Sequence, residues 1–305
     1  MKKQVTNLRA GTAIRGKWNH HVYQIIKPLG DGACGVVYLC QKNGVKYALK
    51  VGTDSSRLML EVNMLKKFSK VQGVKLGPSF VDVDDWVAPS QQTYPFYVME
   101  FIDGVPLNDY LVGKKKEWVG LIAMQLLSDL EHLHDAGYVF GDLKTDNLLV
   151  SSSRVQWIDV GGVTAVGRAI KEYTEFYDRG HWGYGSRRAE PSYDLFAVTM
   201  IMLETVYPKR FDAQKDPRKT LNDRLNQAPL PSAYKQLMLD CWQGKYHSAA
   251  EMKKALGEIL MKRVQTPKRT TKKRVQNDAS EWGEMLGVGF IAVICYGISM
   301  WSFWF

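Results

Sequence analysis

The stretch Gly30-Asp31-Gly32-Ala33-Cys34-Gly35-Val36-Val37 constrains this chain more than any other. Glycines spaced G-x-G-x-x-G serve two unrelated phosphate-binding designs, and the element after the glycines tells the two apart. A dinucleotide-binding fingerprint runs from a strand into a helix. Here the glycines lead into Val36-Val37-Tyr38-Leu39-Cys40, then Asn43-Gly44, then Val45 to Val51. Asn-Gly between two alternating apolar runs is a two-residue hairpin signal. The segment from Tyr23 to Val51 therefore reads as three antiparallel strands with the glycines at the first bend. Such a bend is a flap whose backbone amides can approach phosphate oxygens with no side chain in the way.

The third of these strands carries Lys50, a cation placed to reach phosphates under the flap. A long lysine side chain needs a carboxylate to hold it, and Glu61 lies inside the next apolar-periodic stretch, Ser55 to Lys70. That stretch has helical spacing, with Ser55 or Ser56 as its expected N-cap. Phe96 to Ile102 reads as a strand and Gly104-Val105-Pro106 as a break. Glu117 to Gly137 reads as a long amphipathic helix with Gly137 as its C-cap. From Asp194 onward the pattern is mostly helical. The fold class is α+β, with a small β-rich part followed by a larger α-rich part.

Residues 139–150, VFGDLKTDNLLV, place Asp142, Lys144 and Asn147 at spacings of two and five, and Asp159 follows in IDVGG. With the glycine flap, Lys50 and Glu61, these positions match in order the Hanks-type serine/threonine protein kinases, which the chain resembles from about residue 22 to residue 260. The resemblance implies a bilobal fold and transfer of the γ-phosphate of ATP to Ser or Thr of the chain itself and of protein substrates. Asp142 then orients or deprotonates the acceptor hydroxyl, Lys144 neutralises the γ-phosphate, and Lys50 paired with Glu61 holds the other phosphates. Asn147 and Asp159 bind Mg²⁺ (or Mn²⁺). The flap residues Gly30, Asp31, Gly32, Ala33, Cys34 and Gly35 cover the phosphates. Val37, Ala48 and Leu149 enclose the adenine, with Met99 as gatekeeper and Glu100 to Ile102 as the hinge. Asp194 braces the catalytic loop. Within the family, the stretch Gly167 to Gly185 resembles the membrane-anchored kinases of spore-forming bacilli, which implies a role in sporulation.

Several positions depart from the family pattern. Phe140 and Gly141 stand where most members have His and Arg, and loss of that Arg removes the usual partner of a phosphorylated activation segment. Val160 replaces a Phe. Residues 180–190, GHWGYGSRRAE, stand where members have GTPGYxAPE. On that alignment the threonine that ties the catalytic Asp to the Lys becomes His181, the Ala-Pro-Glu signature shrinks to Ala189-Glu190, and no Arg is left to pair with Glu190. Thr164, Tyr173, Thr174, Tyr177 and Ser186 carry hydroxyls open to modification, though each also reads as an ordinary loop residue. Two other readings stay open: a catalytically impaired nucleotide-binding scaffold, and a small-molecule or lipid kinase.

The C-terminal residues 285–305 hold no charge over 21 positions, enough at ~1.5 Å per residue to cross a hydrocarbon layer. Trp282 lies on one side, and Trp301 and Trp304 lie on the other, where interfacial aromatics belong. Before this run, residues 262–274 hold seven basic residues and no acid: Lys262, Arg263, Lys268, Arg269, Lys272, Lys273 and Arg274. The expected division is an extension at 1–21, a kinase domain at 22–261, a basic linker at 262–281 and a membrane anchor at 282–305. A single-pass protein with its kinase domain in the cytoplasm is the expectation, because Lys and Arg beside a span stay on the cytosolic side. The linker suits non-specific DNA or anionic lipid. Four cysteines without paired spacing point to a reducing compartment.

Overall fold

A computed structural model of the chain describes residues 8–32, 35–68, 75–207 and 209–265. Six strands form an antiparallel sheet in the order β1-β2-β3-β4-β6-β5. They are β1 (Ala13–Arg15), β2 (Val22–Gly32), β3 (Gly35–Lys42), β4 (Val45–Val51), β5 (Phe80–Val87) and β6 (Thr93–Glu100). Asn43 and Gly44 both take positive φ, 52° and 77°, as the expected hairpin turn requires. Helix α1 (Ser55–Phe68) buries Leu58, Glu61, Val62, Leu65 and Phe68, the i, i+3, i+4, i+7 face of a helix laid on a sheet. Its cap is Asp54, whose Oδ1 accepts the Arg57 N–H at 3.1 Å, not Ser55 or Ser56. An Asp caps as well as a Ser, so the helix starts one residue earlier and takes in both serines.

The stretch expected to stand apart as an extension is, from Ala13 onward, part of this sheet. β1 pairs with β2, and Gly16 bridges Trp86 of β5 at the other edge. The physical reason lies in β5, which buries two carboxylates, Asp82 and Asp84. Buried charges need hydrogen-bond partners. Asn19 Nδ2, His21 Nδ1 and Tyr23 OH each lie 2.7 Å from Asp82. The Trp18 and Asn19 N–H groups donate to Asp84.

The second lobe is built on α3 (Glu117–Asp135) and α4 (Pro191–Glu204), preceded by α2 (Leu107–Leu111) and followed by α5 (Pro217–Gln227), α6 (Ser232–Trp242) and α7 (Ala249–Gln265). α4 is buried along nearly its whole length, as a helix apolar all round must be. Two small sheets lie beside the helices: β7 (Val105–Pro106), β9 (Leu148–Ser151) and β10 (Arg154–Trp157) in one, β8 (Tyr138–Val139) and β11 (Thr164–Ala165) in the other. The expected break at Gly104-Val105-Pro106 is thus a short strand on β9. A Cβ on Gly104 would stand 2.9 Å from Val150 O, so glycine is what lets the two chains meet. Gly137, at φ +84°, ends α3 as expected.

On α3, burial pushes the Asp129 carboxyl up to about 6, although Arg154 lies 3.0 Å away. A carboxyl that holds its proton better folded than unfolded adds stability that is full below its unfolded value and is lost as pH rises through about 6. Between about pH 7.5 and about pH 5, the natural chain is expected to gain roughly 1–2 kcal/mol relative to Asp129→Asn. Thermal unfolding of both at the two pH values checks this, and parallel curves contradict it.

The described residues up to Gly257 form one compact unit. α7 runs past the expected domain end at 261 to Gln265, so Lys262 and Arg263, at the start of the expected linker, stand on its last turn. Lys268, Arg269, Lys272, Lys273, Arg274 and the apolar run 285–305 lie outside the described residues. Among the described residues, no helix is long and apolar enough to cross a membrane. Cys40 and Cys241 are free and buried, and burial pushes both thiols up to about 12, which makes them unreactive.

Candidate active site

Lys50 on β4 and Glu61 on the inner face of α1 are both buried. Lys50 Nζ donates to Glu61 Oε1 at 2.9 Å and Oε2 at 2.7 Å. Tyr97 OH of β6 donates to the same carboxylate at 2.7 Å, a partner that no sequence pattern marks. The pair lies beside Asp159: a Cβ on Gly161 would stand 3.2 Å from Asp159 Oδ1 and 3.2 Å from Glu61 Oε1. Glycine at 161 lets these groups converge. Asp159 Oδ1 is itself fixed by the Gly161 N–H at 2.9 Å.

Asp142, Lys144 and Asn147 lie on the loop between β8 and β9. Lys144 Nζ donates to Asp142 Oδ2 at 2.5 Å, and Thr174 Oγ1 donates to Asp142 Oδ1 at 3.0 Å. Lys144 also reaches Thr174 Oγ1, at 3.2 Å. Asn147 Nδ2 donates to the Asp142 carbonyl at 3.0 Å, and Asn147 O accepts the N–H of Ile158, next to Asp159. Asp159 and Asn147 therefore offer a carboxylate and an amide oxygen from adjoining backbone. Among the described residues no cluster of three or more His, Cys, Asp or Glu forms a metal cage. One or two protein oxygens are what an Mg²⁺-type ion uses when phosphates and water fill its remaining positions. The residues fit a nucleotide-borne divalent ion.

Beneath the loop, Asp194 is fully buried. Its Oδ2 accepts the Phe140 N–H at 2.7 Å, its Oδ1 accepts the Gly141 N–H at 3.0 Å, and His134 Nε2 lies 2.9 Å from Oδ2. Gly141 takes φ +80°, and a Cβ there would come within 2.6 Å of Gly162 O. The Arg that other kinases carry at this position does not fit this backbone. Gly141→Arg is expected to cost about 2 kcal/mol or more, read as a lower denaturant midpoint. An unchanged midpoint would contradict this. Phe140 fills the neighbouring space by packing edge-on against Trp157, with ring centres 4.7 Å apart, and Val160 is buried nearby.

On the flap, Gly32 pairs with Gly35, Asp31 with Val36 and Gly30 with Val37. Ala33 and Cys34 lie outside the described residues. A Cβ on Gly35 would come within 2.2 Å of Val51 O, so this glycine is required by close approach of β4. Val37 pairs across to Lys50, and Ala48 stands between Leu39 and Met99. Leu149 is half-buried on β9, and Ile102 is buried just past β6. The Glu100 N–H is taken by Ser79 O at 2.9 Å, so it is not available to a ligand.

The protein kinase domain family matches residues 23–279. This chain belongs to the protein kinase family. It is 48% identical over 280 residues to the serine/threonine-protein kinase YabT of Bacillus subtilis, covering 88% of this chain and 83% of that one. This places it among the bacterial serine/threonine kinases. The probable serine/threonine-protein kinase YbdM of the same organism is 31% identical over 156 residues, 47% of this chain and 57% of its own length. Among solved structures, vaccinia related kinase 3 superposes with a TM-score of 0.60 at 18% identity, covering 88% of this chain and 95% of that one, a likeness of fold.

In this kinase the segment after Asp159 departs from the sequence alignment. Thr174, not His181, ties Asp142 to Lys144. His181 instead uses its N–H to bond Asp178 Oδ2 at 3.0 Å. Glu190 does have an arginine partner, Arg179 at 3.2 Å, supplied from within the segment. Asp178, fully buried, binds Arg187 at 2.7 Å and the Tyr193 hydroxyl at 3.0 Å. The signal for Thr174 lies in Thr174-Glu175-Phe176-Tyr177, whose Tyr three residues on donates its backbone N–H to Thr174 O at 2.9 Å and binds Thr145 and Glu204 through its hydroxyl. Tyr177 is buried, and both burial and Glu204 push its phenol up, so it stays a donor to Glu204. Thr164 is also buried, its hydroxyl spent on Gly162 O. Of the five hydroxyl residues Thr164, Tyr173, Thr174, Tyr177 and Ser186, Tyr173 and Ser186 are the exposed ones.

Proposed function

We propose that this protein kinase uses ATP and Mg²⁺ to phosphorylate Ser and Thr hydroxyls of proteins, itself included. The observation that carries this reading is the closed Lys50–Glu61 pair at 2.7 Å, standing beside Asp159. Breaking that pair would leave a buried charge unpaired, so the fold favours the closed arrangement. Lys50 would hold phosphate oxygens, and Asp159 and Asn147 the ion, which supplies neutralisation of the phosphate charge when bound. Asp142, fixed by Thr174 and Lys144, receives the acceptor hydroxyl and its proton. Lys144 stands within reach of the same oxygens and offsets developing charge. Incubation of the full chain with ATP and Mg²⁺, followed by mapping of phosphorylated residues, is expected to give phosphoserine and phosphothreonine that Lys50→Ala abolishes. Phosphotyrosine alone, or equal labelling of the variant, would sink the reading.

The anchor and the basic run extend the proposal. Residues 285–305 would hold the kinase at the membrane with its catalytic part in the cytosol, where Lys262 to Arg274 keep the flank. The same run would take phosphate groups, either of duplex DNA or of anionic lipid. Replacing Lys268, Arg269, Lys272, Lys273 and Arg274 by Gln is expected to abolish low-salt binding to one of these. DNA and anionic vesicles, measured separately, decide which one. Unchanged binding to both would remove the run from the account.

A further inference from the structure

Four residues past Asp142, the catalytic loop carries Asp146, whose side chain is 56% exposed. Below it lies Glu204 at the end of α4, buried, accepting hydrogen bonds from Tyr177 OH at 2.5 Å and Thr145 Oγ1 at 3.0 Å. Two carboxylates, one on the loop that bears Asp142 and one bonded to Thr145 of the same loop, make an acidic recess that attracts a cation. In this chain the cation is already there. Arg210 Nε donates to Glu204 Oε1 at 2.8 Å, and its Nη2 donates to Asp146 Oδ2 at 2.5 Å and Thr145 Oγ1 at 3.2 Å. The guanidinium also lies 5.1 Å from the centre of the Tyr177 ring.

The position of Arg210 is built into the fold. Its neighbour Phe211 packs edge-on against Phe176, Trp182 and Tyr207, with centres 5.2, 5.7 and 5.2 Å apart. Arg224 covers Phe211 from 5.0 Å. Phe176 and Trp182 belong to the segment that holds Thr174, so the loop bearing Arg210 and the segment bearing Thr174 are pinned by one aromatic cluster.

We propose that Arg210 is a built-in occupant of the acidic recess beside the catalytic loop and sets which residues a protein substrate can carry near its acceptor hydroxyl. The inference rests on the protein-kinase reading of this site. A substrate arginine would otherwise be drawn into the recess by two carboxylates through charge-assisted hydrogen bonds. Here it meets a guanidinium of its own sign, and the only way in is to displace one already bonded to both acids. The enzyme therefore gains nothing from a basic residue next to the acceptor.

The test is phosphorylation of a degenerate peptide library, centred on Ser and Thr, by the full chain purified in detergent. The natural chain is expected to show no selection for Arg or Lys at any flanking position. Arg210→Met is expected to select them at one flank by roughly 10–100-fold, the range of a hydrogen bond between charged groups. Arg210→Lys, which restores the charge, is expected to return the natural profile. Adding Asp146→Asn to Arg210→Met should remove most of the new selection. A purely structural strut would lower total activity without moving the profile. If Arg210→Met does not fold, Arg210→Gln is read in its place with the same expectation. An unchanged profile in the charge-removed variant, or arginine selection by the natural chain, overturns the inference. No incorporation into any peptide or protein overturns the kinase reading itself, an outcome distinct from a flat profile.

Discussion

Asp142→Asn is expected to lower kcat by roughly 10²–10⁴-fold while leaving ATP affinity within about threefold of the natural chain. The asymmetry arises from where the carboxylate sits. Its two oxygens are taken by Lys144 Nζ at 2.5 Å and Thr174 Oγ1 at 3.0 Å. Thr174 and Lys144 hold it on the catalytic loop, whereas Lys50, the group proposed to hold the other phosphates, is paired with Glu61. An Asn keeps the shape and one acceptor but loses the charge that receives the hydroxyl proton and balances Lys144. Steady-state kinetics with a Ser/Thr protein, together with a direct titration of nucleotide, separates the two effects. A matched loss of affinity and turnover would mean that Asp142 holds nucleotide and is not the acceptor-side group.

Asp194→Ala is expected to have the largest effect on stability, about 3–5 kcal/mol. Asp194 is fully buried on α4 and satisfies the N–H groups of Phe140 and Gly141 together with His134 Nε2. Removing it leaves two buried backbone donors with no acceptor. They are the donors that hold the left-handed turn at Gly141, so the catalytic loop loses its geometry with its support. Denaturant unfolding should show the drop in midpoint, and transfer activity should fall even where the variant is still folded. Asp194→Asn, which keeps one acceptor oxygen, should lose less. A variant as stable as the natural chain would contradict the role given to this buried carboxylate.

The fold is legible where chemistry and chain punctuation coincide. The Asn43-Gly44 turn, Gly35 of the flap and the Gly137 cap each require a backbone state that few residues allow, so spacing alone locates three strands and a long helix. The Lys50–Glu61 pair is legible because a buried lysine must have a carboxylate and the next helix carries one on its apolar face. Other features leave no local mark. Tyr97 is one strand tyrosine among several, and His134 gains its meaning from Asp194, far along the chain. Asp82 and Asp84 look like surface acids until the residues that fold over them, Trp18 to Tyr23, are seen.

The activation segment misleads for a definite reason. The glycine-rich run from Gly180 to Gly185 resembles the family's signature in composition, which draws the alignment past Thr174. Burial of Asp178 and Tyr177 shows that the hydrogen-bonded core of the segment begins earlier. The exchange of ion pairs, Asp178 with Arg187 and Glu190 with Arg179, supplies within the segment what other kinases take from elsewhere. Arg210 is hidden in the same way: a loop arginine with no mark of its own until Asp146 and Glu204 are found on either side of it.

The most direct test is transfer of label from γ-labelled ATP by the full chain with Mg²⁺, measured beside equilibrium binding of the same nucleotide. The account requires both: nucleotide bound, and label appearing on Ser and Thr of the chain or of an added protein. Nucleotide bound with no label transferred, under conditions where the chain is folded, would contradict it and leave a nucleotide-binding scaffold in its place.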